Sequence, residues 1–161
     1  MNTQELIAHA QKRSLSWDER AEQLIKIGLT KLNLELGIIS HIVGDKYTVI
    51  YSNNSDLVGK EFKLGVTYCQ ITMSMASSAI VAIEHFAVSE HFRHPAYEEF
   101  KLETYIGSPI LLDRRRLGTI NFTMSKKRLV SFTSEEKELV KKLSKAAGIL
   151  VLEAVTQSNN S

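Results

Sequence analysis

Cys69 is the single cysteine of this 161-residue chain, and a thiolate is both a nucleophile and a metal ligand. Its neighbours Tyr68, Ile71 and Met73 supply no lysine or arginine to stabilise a thiolate, which leaves a helix N-terminus as the means of activation. The alternative is a buried thiol acting as a small hydrophobe. His85, His91 and His94 fall within one short segment, beside Glu84 and Glu90. Imidazole and carboxylate suit zinc, iron or nickel. The spacing, however, matches no compact zinc motif and no second cysteine assists, so no metal site is expected. These histidines read either as solvated or core-satisfied groups, or, for His85 and His94, as hydrogen-bonding partners of a polar ligand. Met73 and Met75, with Phe86, Phe92, Tyr97, Phe100 and Tyr105, suit the wall of an apolar small-molecule cavity. They suit an ordinary core equally well. Catalytic signals are absent: no Gly-rich loop of Walker or Rossmann spacing occurs, and nothing resembles a nucleophile elbow. No catalytic residue is assigned, and an enzyme is not expected.

The elements that position these residues are organised around the stretch from Tyr105 to Phe122. Tyr105-Ile106-Gly107-Ser108-Pro109-Ile110-Leu111-Leu112 and Leu117-Gly118-Thr119-Ile120-Asn121-Phe122 flank Asp113-Arg114-Arg115-Arg116. Two apolar, β-branched runs around a short charged insert predict a hairpin, with the three arginines solvated in its turn. Upstream, Ile38–Val43 and Tyr47–Tyr51 flank Gly44-Asp45-Lys46 and predict a first hairpin. A short extended piece falls within Asp56–Lys63, a short helix at Thr67–Ser74 and a brief apolar strand at Ala79–Ile83. Pro95 sets a helix start. Ser16-Trp17-Asp18-Glu19 and Thr133-Ser134-Glu135-Glu136 both have the form of a capping box. The first opens a helix ending near Leu34, the second a helix of about 20 residues by its apolar period, ending in a polar tail over 156–161. Residues 1–15 read as an N-terminal extension holding at best a short amphipathic helix.

Composition bounds the rest. The length suits one domain over 1–161. A formal net charge of +2 with scattered basic residues gives no nucleic-acid footprint. No apolar run is long enough to span a bilayer, so no membrane partner is expected. A lone cysteine forms no internal disulfide, which agrees with a reducing, cytoplasmic setting.

Tyr-Ile-Gly-Ser-Pro-Ile followed by Leu-Gly-Thr-Ile-Asn-Phe resembles the strand pair near the end of GAF domains, the sensory modules of signalling kinases, phosphodiesterases, cyclic-dinucleotide enzymes and phytochromes. The resemblance extends from about Glu19 to Ala154 and is most specific at this hairpin and the helix after it. It implies an α/β (α+β) fold: a central antiparallel sheet of about six strands, the N- and C-terminal helices on one face, and short helices over a pocket on the other. The implied ligand site takes in Cys69, Met73, His85, His94, Tyr97 and Tyr105. In phytochromes the bilin-bearing cysteine is followed by histidine, and the matching pair here is Arg93-His94. A second cysteine of some cyanobacterial relatives lies near Cys69, preceded two positions earlier by aspartate, where this chain has Thr67. The free methionine sulfoxide reductases of the family use several cysteines, and the Asn-Lys-Phe-Asp-Glu set of cyclic-nucleotide-binding members is not found.

The resemblance implies a sensor that binds a small molecule of unknown identity and signals through its terminal helices to a partner such as a histidine kinase or cyclase. It does so either as part of a larger protein or in trans. The alternatives are a ligand-free dimerisation module and a Cys69-dependent redox or chromophore sensor. A homodimer through the terminal helices is expected, with Ile27, Leu29, Ile149 and Leu152 as apolar residues beyond the core stripe.

Overall fold

The computed structural model describes residues 1–75 and 79–159. In chain order the elements are α1 (Thr3–Ala10), α2 (Trp17–Leu32), β1 (Leu36–Val43), β2 (Lys46–Ser52), β3 (Glu61–Lys63), α3 (Cys69–Ser74), β4 (Val81–Ile83), α4 (Pro95–Phe100), β5 (Thr104–Leu112), β6 (Arg115–Met124) and α5 (Ser134–Asn159). The strands form one six-stranded sheet in the order β3-β2-β1-β6-β5-β4, and every neighbouring pair is antiparallel. The α+β architecture expected from the sequence is therefore the one observed.

Both capping boxes close as their spacing requires. Ser16 Oγ accepts from the Glu19 amide at 3.1 Å. Thr133 and Glu136 satisfy each other reciprocally, at 3.1 and 2.9 Å, occupying backbone donors that a helix start leaves orphaned. Asn33 ends α2 in the left-handed region at φ 56°, a conformation that asparagine tolerates.

Helices α1, α2 and α5 cover one face of the sheet. Leu24 and Ile25 of α2 and Leu143 and Leu150 of α5 meet Ile120 and Phe122 of β6 in one apolar cluster. Gly28 is required here, because a Cβ at that position would run into the Phe122 ring. Arg20, 3 % exposed, lies within this helical layer. It donates to Ala10 O at 2.8 Å and to both carboxylate oxygens of Glu153 at 2.8 and 2.9 Å, so one guanidinium fastens α1, α2 and α5 together. Helices α3 and α4 lie on the opposite face.

Two expectations are corrected. The hairpin turn is two residues, Asp113 and Arg114, at φ 47° and 70°, the pattern that matches the right-handed twist of the flanking strands. Arg115 and Arg116 therefore belong to β6. Arg116 is not a solvated turn residue: it donates to the carbonyls of Met73 and, at 2.6 Å, Met75, where α3 ends. Second, α5 runs to Asn159, well into the stretch read as a tail, since 156–159 contains no glycine or proline to stop a helix; Asn160 and Ser161 lie outside the described residues. The N-terminal extension holds the short helix expected of it, α1, whose Leu6 and Ala10 are fully buried. Among the described residues, no helix is long and apolar enough to cross a membrane.

Candidate functional site: a small cavity above the polar face of the sheet

Strand side chains alternate between faces, and β6 divides its chemistry accordingly. Ile120 and Phe122 join the helix-side core. Thr119, Asn121 and Thr123, all buried, point the other way. Ser40 of β1 meets them across the central seam, with Ser40 Oγ and Thr119 Oγ1 2.8 Å apart and the Thr119 amide donating to Ser40 Oγ at 3.1 Å. At Gly118 the strands lie so close that an added Cβ would overlap the Ser40 carbonyl.

Cys69 opens α3 and sends its thiol down onto this polar floor. Thr119 Oγ1 and Asn121 Nδ2 each donate to Sγ at 3.0 Å, and Sγ donates to the Tyr47 hydroxyl at 3.5 Å. Beside them the Tyr105 and Thr72 hydroxyls are 2.7 Å apart. Burial pushes the Cys69 thiol up, against the opposing pull of its hydrogen bonds, Thr119 first. Burial likewise holds the Tyr47 and Tyr105 phenols well above the ordinary tyrosine range, with Cys69 adding to it. The cluster is therefore neutral at physiological pH, and Cys69 is a hydrogen-bonding thiol rather than a nucleophile.

Next to the thiol is a cavity of about 90 Å³, walled by Ile38, Tyr47, Val49, Phe62, Leu102 and Thr123 among others. No lysine, arginine, histidine, aspartate or glutamate lines it. It is small against the roughly 300–1,000 Å³ of drug-sized ligand sites. The Phe62 and Phe100 rings cross edge to face at 5.8 Å in its wall, and Phe100 is 37 % exposed, so this corner borders solvent.

The six residues singled out from sequence do not converge. Cys69 lines the cavity. Tyr105 is fully buried in the neighbouring aromatic cluster with Tyr68 and Phe86. Met73 packs against the cluster of Ile42, Tyr47 and Val49. His85, His94 and Tyr97 do not line the cavity and instead brace the segment between β4 and β5. His85 Nε2 is 3.6 Å from Glu103 Oε1, and the Tyr97 hydroxyl donates to Glu103 Oε2. His94 Nδ1 accepts from the Ala96 amide at 3.0 Å, capping α4, while Nε2 pairs with Gln70 Oε1 at 2.9 Å. Burial, then the nearby His91, lowers the His94 pKa, in keeping with a neutral capping ring. Among the described residues no group of three or more His, Cys, Asp or Glu side chains is arranged to hold a metal ion.

Sequence reasoning missed Tyr47, Asn121 and Thr123. The available signal was the strict alternation Thr119-Ile120-Asn121-Phe122-Thr123: with the apolar members facing the helices, the polar members must be buried on the other side.

The sheet carries long helices on one face and a roofed cavity on the other, and the chain belongs to the GAF domain family, whose profile matches residues 29–151. The GAF domain of a phosphoenolpyruvate-protein phosphotransferase from Acinetobacter superposes with a TM-score of 0.73 at 14% identity, covering 98% of this chain and 94% of that one. Its counterpart from Coxiella burnetii gives 0.72 at 15%, covering 99% and 98%. The phycocyanobilin-bound GAF domain of a cyanobacterial phytochrome gives 0.67 at 16%, covering 99% and 97%. At these identities the likeness is one of fold. No curated protein sequence matches the chain. GAF domains are generally sensory or regulatory rather than catalytic.

Proposed function

We propose that the chain is a sensory module that takes a small molecule into the cavity beside Cys69 and relays its occupancy through α5 to a signalling partner such as a histidine kinase or cyclase. The observation that carries this reading is the cavity itself, an open space beside the Cys69 thiol, which the polar floor of the sheet holds by hydrogen bonds. Close-packed interiors rarely keep such a space. The relay has a short path: Asn121 and Thr123 line the cavity, and Ile120 and Phe122, alternating with them, pack in the cluster that holds Leu143 and Leu150 of α5. A bilin is disfavoured by the volume and by a thiol already engaged on three sides. Native mass spectrometry of the freshly purified protein tests the reading. Extra mass that is lost on denaturation is the expected result; the bare mass under both conditions, with no added compound retained, rejects it. Mass surviving denaturation would instead revive a covalent role for Cys69.

A homodimer through the helical layer is favoured by one separate observation. Leu152 is 42 % exposed on α5, on a helix whose remaining apolar residues are largely covered. Ile27, Leu29 and Ile149 are half-buried against the helix-side core, so Leu152 is the residue this reading rests on.

A further inference from the structure

Phe62 and Phe100 belong to two hollows at once. On one side they wall the cavity beside Cys69. On the other, with Val66, Pro95, Glu98 and Glu99, they line an open groove on the surface. The crossed rings, 5.8 Å between centroids, are thus a partition one side chain thick. Both stand on edge elements: Phe62 on β3, the three-residue outermost strand, and Phe100 as the last residue of the six-residue α4. The chain just beyond is fixed, since the Tyr68 hydroxyl accepts from Leu102 N at 2.9 Å and donates to Leu102 O at 3.0 Å. The Phe100 ring is held by apolar contact alone, and it is partly exposed with the open groove to turn into.

Size and charge say what would take its place. An engineered cavity of about 150 Å³ accepts benzene, so about 90 Å³ is too small for a ring while the partition is shut. The space of the Phe100 ring, added to the cavity, is enough for one. A ligand ring seated there inherits the contacts Phe100 now makes, edge to face with Phe62 and tilted against Tyr68 at 6.4 Å, arrangements that aromatic pairs favour. No lysine, arginine, histidine, aspartate or glutamate lines the cavity, and an unpaired charge would not enter it. The exposed Glu98 and Glu99 disfavour an anion in the groove as well.

On the basis of the sensory reading above, we propose that Phe100 is a door and a stand-in for the ligand: its ring turns outward to admit an uncharged aromatic molecule, which occupies the vacated place and the cavity behind it. The full chain, 15N-labelled and carrying 4-fluorophenylalanine, tests this by NMR titration with indole. Saturable shifts should appear at the amides of Cys69 and Asn121. The 19F line of Phe100, assigned by its loss in Phe100→Leu, should move on binding. Phe100→Ala removes the need to open and should tighten indole by about tenfold, because a site only fractionally open binds in proportion to its open fraction. Phe100→Leu, which keeps apolar bulk without the ring, should tighten it less. Phe92→Ala, at an exposed phenylalanine that lines neither hollow, should change nothing.

Unchanged indole affinity in Phe100→Ala overturns the inference. So do shifts at Cys69 and Asn121 with the Phe100 fluorine unmoved, shifts confined to the groove, or refusal of indole by the native chain even where Phe100→Ala accepts it. The two readings fail separately. A charged or non-aromatic releasable ligand in native mass spectrometry overturns the aromatic class and leaves the sensory reading standing. The bare mass, with indole refused by the native chain and Phe100→Ala alike, overturns both.

Discussion

On its helix side the sheet buries Ile39, Ile106, Ile110, Ile120 and Phe122, and on its cavity side Ser40, Tyr105, Thr119, Asn121 and Thr123, all of them 3 % exposed or less. Burial does not distinguish the faces; directionality does. Apolar contacts on the first face are non-directional, and their strength follows from the area removed from water. Each polar group on the second face needs a particular partner at hydrogen-bond distance, which Ser40, Thr119 and Asn121 find in one another and in Cys69. Alternate residues of the same strands thus build an apolar face on one side of the sheet and a hydrogen-bonded floor on the other.

Substitutions on the two faces should separate accordingly. The largest loss is expected for Phe122→Ala, which removes a fully buried ring wedged over Gly28; chemical denaturation should show about 3–5 kcal/mol. Glu153→Gln should follow, at about 3 kcal/mol, because it strands the buried Arg20 guanidinium. That variant also carries a pH signature. The Arg20 hydrogen bond, opposed by burial, holds the Glu153 carboxyl below its ordinary 4.5. Its stabilisation is complete above that pH and is lost as pH falls through the lowered value, so denaturation midpoints of Glu153→Gln should lack this part of the acid dependence.

On the cavity side, Cys69→Ala should cost about 1–2 kcal/mol, since it leaves Thr119 and Asn121 without their acceptor. The native thiol should resist thiol reagents until the protein unfolds, and rapid labelling of the folded protein would contradict the neutral cluster. The smallest effect on the monomer, under about 0.5 kcal/mol, is expected for Leu152→Glu on the outer surface. Light scattering should then show whether that residue holds a homodimer together: an unchanged dimer mass in the variant would exclude it.

Much of this was legible in the chain because it depends on local chemistry. The two capping boxes, the two hairpins and the apolar stripe of α5 follow from spacing alone, and the Tyr-Ile-Gly strand pair pointed to the family. The turn at Asp113-Arg114 was misjudged because an arginine at φ 70° leaves no trace in residue type; the usual sign is asparagine or glycine. The end of α5 was placed too early because a polar, unpatterned run looks the same in a tail and in the last turns of a helix. His85, His94 and Tyr97 were gathered into a pocket on resemblance, whereas hydrogen bonds to Glu103, Gln70 and Ala96 turn them to bracing a loop. Those partners are 2 to 24 residues away, and side-chain direction over such distances is fixed by the fold rather than by spacing.

The central seam of the sheet joins Ser40 to Thr119 across 79 residues, whereas both of its neighbours are local hairpins. Hairpins close quickly, in about 1–10 μs, but a junction of such long range must first meet the entropy of closing a large loop. A chain with both hairpins formed and the seam still open has Tyr47 on one piece and Asn121 on the other, and no floor beneath Cys69. The cavity is therefore among the last features to exist during folding, and a molecule seated on that floor binds only the joined form. Such a guest should slow unfolding by holding the two halves together and leave the rate of forming either hairpin unchanged.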